Sequence, residues 1–396
     1  MALDRLRRAG RHSAPADIGS VSGSIKANGF RLDGVYEPAL GAFRSSAWRA
    51  EEVDFKIYTL DPAKSETQDI QFHQLGVAID TQAADAGGAV TTKFREKDEG
   101  AHQTLLLTHP AVGAASPPPT NSVYSQGPSE IEGSYEGLRT TQLLDLWRFL
   151  VALADRDDPD AAIGAQNELR AKLLAMLPLW DNVNATATIR DVAIETPGIA
   201  ISVKTLSETL AIGGLDARSD LRLALKLDDF SLKSPLIPAW IQPLTPTAVD
   251  FDMKLSVAGL DKVARVAIED FDFAAKPPLS AISDAKIAAI LAAGDPKLTL
   301  APGRLTSPSL DLTFEGELAL TPKPAGRFKV TADALDKTLA VLAEAADADA
   351  QMQPAVLGVT FLKGLAKQDG NGRLAWEIEI DGDGAVTVNG MAMPEN

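Results

Sequence analysis

Apolar and polar residues alternate along much of this chain, which predicts antiparallel strands with one buried face. The alternation is strictest over residues 221–227, where every second residue is leucine. It recurs at 53–57, 250–255, 310–315 and 374–380. These segments predict a β-rich protein.

Two turn sequences predict hairpins between such strands. Asn28-Gly29 follows a short alternating run near the N-terminus. Asp381-Gly382-Asp383-Gly384 separates the alternating residues 374–380 from 385–388. Asn-Gly and Asp-Gly favour tight hairpin turns because both central positions need positive φ.

The hydrophobic period changes after residue 135. Apolar residues then follow the i, i+3, i+4, i+7 spacing of an amphipathic helix, namely Leu143, Leu146, Trp147, Leu150 and Leu153. The acidic turn at 157–160, which contains Pro159, ends this run. Leu169, Leu173 and Leu177 begin a second helical stripe, so the two runs predict an αα-hairpin with the acidic turn at its tip.

Two further helices are predicted in the C-terminal half, over residues 283–293 and 336–346. We expect Asp333 or Asp336 to cap the second of them. The predicted fold class is α+β: a mostly antiparallel, curved β-sheet with the αα-hairpin and a few short helices packed on it.

Composition shifts divide the chain into four regions. We expect residues 1–17 to form a disordered basic tail. We expect residues 18–135 to form a β-rich region that ends in a linker around Pro117-Pro118-Pro119, since consecutive prolines favour an extended strap. The helical hairpin spans 136–180, and a second β-rich region with short helices spans 181–396.

A small residue followed by Leu-Asp recurs at strand-like ends, in Gly214-Leu215-Asp216, Gly259-Leu260-Asp261 and Ala334-Leu335-Asp336. An aspartate at such a position can accept a backbone N–H and begin a turn or helix. The interpretation is structural: each copy ends a strand and lets the chain turn.

Charge and residue usage exclude several classes of function. The 54 acidic and 38 basic residues give a net charge of −16, which opposes binding to nucleic acid or an anionic lipid surface. The chain has no cysteine, so thiol catalysis and cysteine-ligated zinc are excluded. No apolar run in the sequence reaches the roughly 20 residues of a membrane-spanning helix.

Motifs that carry chemistry are also absent from the sequence. It contains no Gly-x-Ser-x-Gly elbow and no phosphate-binding glycine loop. Loops beginning at Asp369 and Asp381 start like calcium loops but have Ile380 and Ala392 at position twelve, where an acidic ligand is required. The four histidines, His12, His73, His102 and His109, lack zinc-motif spacing. We therefore predict no catalytic residue, no metal site and no cofactor.

Several short turn and strand motifs occur in a fixed order between Asn182 and Val388. They are the Gly-Leu-Asp strand ends, the proline-rich connection around Trp240, Pro302-Gly303-Arg304-Leu305, Ala325-Gly326-Arg327-Phe328 and Gly372-Arg373-Leu374-Ala375-Trp376. This order resembles an uncharacterised bacterial envelope family, a domain of unknown function numbered two-one-two-five. The long alternating strands are more distantly similar to groove-forming lipid-transfer proteins related to AsmA, a likeness of architecture alone.

The resemblance implies a periplasmic protein, or one anchored in the inner membrane and facing the periplasm. Arg5, Arg7, Arg8 and Arg11 look like the basic start of an export signal, yet no apolar segment follows them. If Met1 is the true start, the expected location is the cytoplasm instead.

Three functional hypotheses follow, and the first is a non-enzymatic envelope protein that binds or carries an apolar ligand such as lipid. In it, the helix around Trp147 closes over the apolar sheet face, and Trp147, Leu150 and Trp240 line the groove. The second is a structural or interaction protein that docks an envelope partner and has no small ligand. The third is a hydrolase whose polar cluster the sequence does not reveal.

Overall fold

The computed structural model describes residues 21–61, 66–108, 120–154, 161–272, 274–321, 323–370 and 372–393. Within them, 20 strands join into one sheet. Every strand pair is antiparallel, as between β9 and β10. The predicted β-rich α+β class is confirmed.

The first half of the chain contributes ten strands to the sheet. They are β1 Val21–Asn28, β2 Arg31–Glu37, β3 Ala42–Asp61, β4 Glu66–Asp85, β5 Val90–Asp98, β6 Gly100–Thr108, β7 Thr120–Gln126, β8 Ser129–Leu138, β9 Asn182–Thr196 and β10 Ile199–Gly213.

The second half continues the sheet. Its strands are β11 Arg218–Asp228, β12 Ser231–Lys233, β13 Ala248–Ala258, β14 Lys297–Ser307, β15 Leu310–Ala319, β16 Ala325–Asp333, β17 Lys367–Gln368, β18 Leu374–Ile380, β19 Val386–Val388 and β20 Met391–Ala392.

Helices occupy the longer connections. They are α1 Thr140–Ala154, α2 Ala161–Gly164, α3 Gln166–Ala175, α4 Leu260–Asp270, α5 Ala281–Ala293, α6 Leu335–Ala348 and α7 Gln353–Leu365, with 3-10 helices at Ala239–Leu244 and Ala350–Met352. Among these helices, none combines the length and the apolar composition that a membrane span requires.

Several long strands are matched by two shorter ones placed end to end. β6 pairs with the first half of β4 and β5 with the second half. In the same way, β1 and β2 share β3, and β7 and β8 share β9. The hairpin predicted at Asn28-Gly29 is therefore wrong: this turn joins two strands that pair with β3 and not with each other.

These interruptions align across the sheet at residues with left-handed backbone. Gly76 in β4 has φ 60° and Asp191 in β9 has φ 51°. A Cβ on Gly76 would lie 2.5 Å from the Glu99 side chain, so glycine meets both the backbone and the space requirement there. The two-residue alternation shifts by one residue across these breaks: in β10, which pairs with β9 on both sides of Asp191, the apolar positions are Ile201 and Val203 and then Leu206 and Leu210.

The helices lie at the two ends of the strands. α1 and α3 connect β8 to β9, and α4 and α5 connect β13 to β14, at the same end of the sheet. There α1 contacts α3, α3 contacts α4 and α4 contacts α5. α6 and α7 connect β16 to β18 at the other end, where α6 contacts the 3-10 helix Ala239–Leu244.

A small core forms where the C-terminal helices meet the sheet. Ala332, Trp376 and Val388 are buried together there. The Trp376 indole Nε1 donates a hydrogen bond to the Leu362 carbonyl of α7 at 2.7 Å, which ties that helix to β18. Among the described residues, the other buried apolar side chains are mostly alanine and valine.

Some predicted boundaries differ from the structure. The predicted linker was to run to residue 135, but β7 begins at Thr120 and β8 at Ser129. Both segments form strands whose backbone groups pair with neighbouring strands, although their many glycines and serines are more typical of a loop. Pro117-Pro118-Pro119, the tail 1–17 and the acidic turn 157–160 lie outside the described residues.

The predicted helices at 283–293 and 336–346 are confirmed as α5 and α6. The cap of α6 was wrongly predicted: Ala334, with φ 62°, stands at its N-cap, and not Asp333 or Asp336. Gly259, with φ 83°, takes the same position before α4. Two of the three Leu-Asp copies thus begin a helix at the leucine after a left-handed residue.

Candidate functional site: the apolar face of the sheet

Cross-strand register places apolar side chains in continuous rows on one face of the sheet. Directly opposite residues in an antiparallel pair project to the same face. One row runs Ile212, Leu221, Leu255, Leu298, Leu318, and the next runs Leu210, Leu223, Met253, Leu300. These rows cross β10, β11, β13, β14 and β15 without a polar side chain.

The same face continues in both directions. Phe314, Val330 and Trp376 lie opposite one another on β15, β16 and β18. Towards the N-terminal half, Ala187 of β9 faces Ile131 of β8. The apolar face is therefore a property of most of the sheet, built by the two-residue period of each strand.

The opposite face is charged and held by cross-strand ion pairs. Arg222 donates to Asp252 through two nitrogens, with Nη2 to Oδ2 at 2.6 Å. The ion pairs Arg304–Asp311 and Arg327–Glu379 follow on later strands. The guanidinium of Arg222 lowers the pKa of the Asp252 carboxyl from its usual 3.8. The sheet thus has one charged face that is well hydrated and one apolar face whose exposure to water is unfavourable.

The apolar face is only partly covered. Leu210 and Leu221 near its middle are each 40% exposed. Most of their row neighbours, such as Leu223 and Leu300, are intermediate in burial. Among described residues, Met176, Leu342 and Trp376 are the large apolar side chains that are fully buried. The leucines of the two rows are therefore still partly accessible to solvent, whereas the C-terminal helices cover Trp376.

A polar group interrupts the apolar face at the line of strand breaks. Asp98 and Glu96 of β5 lie on this face, since Glu96 stands opposite Ile79 and Ile131. Asp98 is 6% exposed and accepts hydrogen bonds from Gln74 Nε2, at 3.0 Å, and from the Ser129 hydroxyl. Burial, and then the charge of Asp98, raise the pKa of Glu96 above 4.5.

Sequence reasoning missed this acidic pair. The available signal was the alternation itself, which puts Phe94, Glu96 and Asp98 on the same side of β5. A carboxylate at an inward position of an otherwise apolar strand face is desolvated, and such groups are candidates for function.

The predicted groove residues lie apart. Trp147 and Leu150 of α1 are 66% and 38% exposed, and the helix has no buried residue. Its N-terminus is fixed to the β2–β3 turn, where the Thr140 hydroxyl donates to the Leu40 carbonyl. Trp240 is half-buried in the 3-10 helix at the other end of the strands. The structure does not bring Trp240 together with Trp147 and Leu150.

The two predicted hairpin helices do contact each other. Lys172 of α3 donates to the Asp145 carboxylate of α1 at 2.6 Å and lies over the Phe149 ring. Because α1 stands at the strand ends with Trp147 in solvent, this helix does not close over the apolar face.

Concave surface is found on the charged side. A cleft of about 690 Å³ is lined by Glu315, Glu317, Arg327, Lys329, Glu377 and Glu379, with glycines and a few apolar residues. Most of its lining residues are charged, so a polar ligand would suit this cleft better than an apolar one. The apolar candidate site is instead the open face described above.

Metal-ligating side chains also converge on the charged side. Glu52, Asp54 and His73 offer oxygen and nitrogen atoms within 4.8 Å of one another. Spacing along one strand does not reveal this group, because His73 comes from β4 and the acids from β3.

No protein-family model, curated protein or solved structure matches the chain.

Proposed function

We propose that this protein is a non-enzymatic cell-envelope protein that binds or carries an apolar molecule, such as lipid, on the apolar face of a curved sheet. The observation that carries the proposal is the continuous, partly exposed rows of leucines across β10 to β15. A monomer seldom leaves so large an apolar patch in water without a use for it.

Burial of apolar surface would favour the binding of an acyl chain to this face. Removing apolar surface from water contributes about 25 cal/mol per Å². An acyl chain that buries about 200 Å² of combined apolar surface would gain roughly 5 kcal/mol from this effect alone. Such a ligand would lie along the rows and shield Leu210 and Leu221.

A contact across the sheet supports curvature. β3 and β8 are separated by β4 and β5, which sets them about 14 Å apart on a flat sheet. Yet the residues just beyond them, Leu40 and Thr140, share a hydrogen bond of 2.6 Å. Curling towards this contact would shape the apolar face into a groove.

The envelope location rests on the resemblance of the C-terminal half to the envelope family. Long alternating strands with an apolar face agree with the more distant likeness to AsmA-related lipid-transfer proteins. The charge of −16 argues against anionic membrane surfaces as the docking partner.

Adjacent residues of β14 provide a matched test. Leu300 lies on the apolar face and Thr299 on the charged face. The gently purified protein should show bound lipid in a native mass spectrum and should bind a fluorescent fatty-acid probe. Leu223→Gln with Leu300→Gln should weaken probe binding at least about tenfold, since two central apolar contacts are lost. Thr299→Gln should leave it unchanged. Absence of both lipid and probe binding would reject the proposal.

A second function has its own observation. β1 and β2 form the N-terminal edge of the sheet as described, and Ile25 and Leu32 there are 74% and 58% exposed. An exposed strand edge can pair with a strand of another protein. In that case the protein is an envelope interaction protein without a small ligand, and Thr299→Gln and Leu300→Gln would affect probe binding equally little.

A further inference from the structure

Three metal-ligating side chains meet on the charged face, where β3 pairs with β4. His73 stands directly opposite Asp54, and Glu52 lies two residues before Asp54 on the same strand face. His73 Nδ1 is 2.9 Å from Asp54 Oδ1 and 3.4 Å from Glu52 Oε1. The three side chains are about one-third exposed, so the point between them is open to solvent.

This convergence brings two negative charges to one nitrogen. The single proton of Nδ1 makes one good hydrogen bond, to Asp54, and the longer contact leaves Glu52 incompletely satisfied. Two carboxylates at one point repel each other unless a cation lies between them. A divalent ion would compensate both charges and coordinate the ring nitrogen as well.

The surroundings fix the ligands in place. Asn28 Nδ2 donates to Glu52 Oε2 at 2.6 Å, which leaves Oε1 directed at His73. Such a second contact orients a metal-binding carboxylate. Lys26 faces Asp54 across β1, but its side chain is exposed and can turn away into water. His102 stands opposite His73 on β6 and projects to the same face of the sheet.

We propose that Glu52 Oε1, the Asp54 carboxylate and His73 Nδ1 form a binding site for a divalent transition-metal ion of the zinc type. Imidazole nitrogen with carboxylate oxygen suits zinc, whereas calcium and magnesium prefer oxygen ligands alone. The metal takes the place of the Nδ1 proton, which is released to solvent, and water or His102 completes the coordination.

The site lies on the face opposite the apolar rows. It therefore does not depend on the proposed binding of an apolar ligand, and the two proposals can fail separately.

Titration of the full chain with zinc sulfate, followed by calorimetry, tests the site. We expect one zinc ion per chain and a higher thermal midpoint in the presence of zinc, because the metal binds the folded state. His73→Gln and Asp54→Asn keep the size and much of the hydrogen bonding of each side chain. Each should weaken zinc binding by at least about tenfold and remove the thermal shift.

Asp80→Asn is the matched control. Asp80 lies on β4 beside Arg49 of β3, with an ion-pair distance of 2.6 Å, and it is outside the metal-ligating group. This variant should bind zinc as the native chain does. Circular dichroism without metal should show all three variants folded. Zinc binding that is absent, or that survives both His73→Gln and Asp54→Asn unchanged, overturns the proposal.

Discussion

The ion pair between Arg222 and Asp252 shows how single residues hold the charged face together. Its two parallel hydrogen bonds join β11 to β13. The Asp252 side chain is 25% exposed and the Arg222 side chain 49%, so solvent screens the pair in part. Exposed ion pairs contribute little to the free energy of unfolding. The bidentate geometry of this pair places its contribution at the upper end of the range for such pairs.

Asp252→Asn should lower the free energy of unfolding by about 0.5–1 kcal/mol at neutral pH. The pKa of Asp252 is lower in the folded state, so its contribution is complete above 3.8 and is lost as pH falls through the folded value. Urea unfolding at neutral pH and well below pH 3.8 measures the change. Asp250→Asn, on the same strand and face, is the control and should have a smaller effect. A loss that persists undiminished in acid would contradict the electrostatic explanation.

Glu96 presents the reverse case, a carboxyl on the apolar face. Its pKa is raised, first by burial and then by Asp98. An acid with a raised folded pKa binds more protons when folded, so its ionisation costs stability as pH rises through that value. Glu96→Gln should therefore stabilise the protein at neutral pH, by less than about 1 kcal/mol because the side chain is only half-buried.

The gain in Glu96→Gln should vanish below pH 4.5, where the native carboxyl is protonated in both states. Urea midpoints across this range provide the measurement. Glu315→Gln on the exposed charged face should show no comparable gain. If Glu96→Gln were less stable than the native protein at neutral pH, a contact of the ionised carboxylate would have to stabilise the fold by more than the cost of desolvating it.

At the residue scale, strand alternation predicted the facing of individual side chains well. Leu221, Leu223 and Leu225 all lie on the apolar face, as their spacing indicates. The meeting of His73 with Glu52 and Asp54 was not predictable, because it depends on the register between β3 and β4. The register between two strands cannot be obtained from the local pattern of either strand.

At the scale of elements, two helices begin directly after a strand through the same backbone conformation. Both Gly259 and Ala334 adopt left-handed backbone immediately before a helix. Glycine accepts this conformation freely, whereas alanine is strained by about 1–2 kcal/mol. The helices α4 and α6 thus begin with the same backbone conformation at two different residues. Exchanging glycine and alanine at these two positions tests the effect of that conformation on stability.

Ala334→Gly should stabilise the protein by roughly 0.5–1 kcal/mol, because the relief of strain exceeds the added entropy of glycine in the unfolded chain. Gly259→Ala should destabilise by a similar or larger amount, since its Cβ would also lie 3.1 Å from Ile290 Cγ2. Thermal unfolding of the two variants provides the comparison. Equal loss of stability in both would show that the backbone conformation does not determine the outcome.

Helix prediction succeeded where the apolar stripe was clear, as in α1 and α5. It missed α4 and α7, whose sequences follow directly on strands or contain glycine, such as Gly358. The position of α1 was not predictable either. An amphipathic helix is expected to bury its stripe, but Trp147 is 66% exposed, and the hydroxyl of Thr140 binds the N-terminus of α1 to the β2–β3 turn.

For the molecule as described, backbone hydrogen bonding matters more than a central core. Few large side chains are fully buried among the described residues, while every strand from β3 to β16 except β12 pairs with other strands on both of its sides. The sheet is therefore stabilised by continuous ladders and by apolar rows packed side by side. Sequence reasoning predicted the β-rich class, but the order of strands required the pairings themselves.

This organisation predicts a gradient of hydrogen exchange across the sheet. Amides of β13 and β14 are paired on both sides, and the adjacent apolar rows keep water from one face. Those amides should exchange slowest, through opening of the whole ladder. Amides of β1 and β2 pair only with β3 among the described strands and carry exposed side chains, so they should exchange fastest. Exchange followed by mass spectrometry resolves these peptides. Equal protection of β1 and β13 would mean that another contact covers the N-terminal edge.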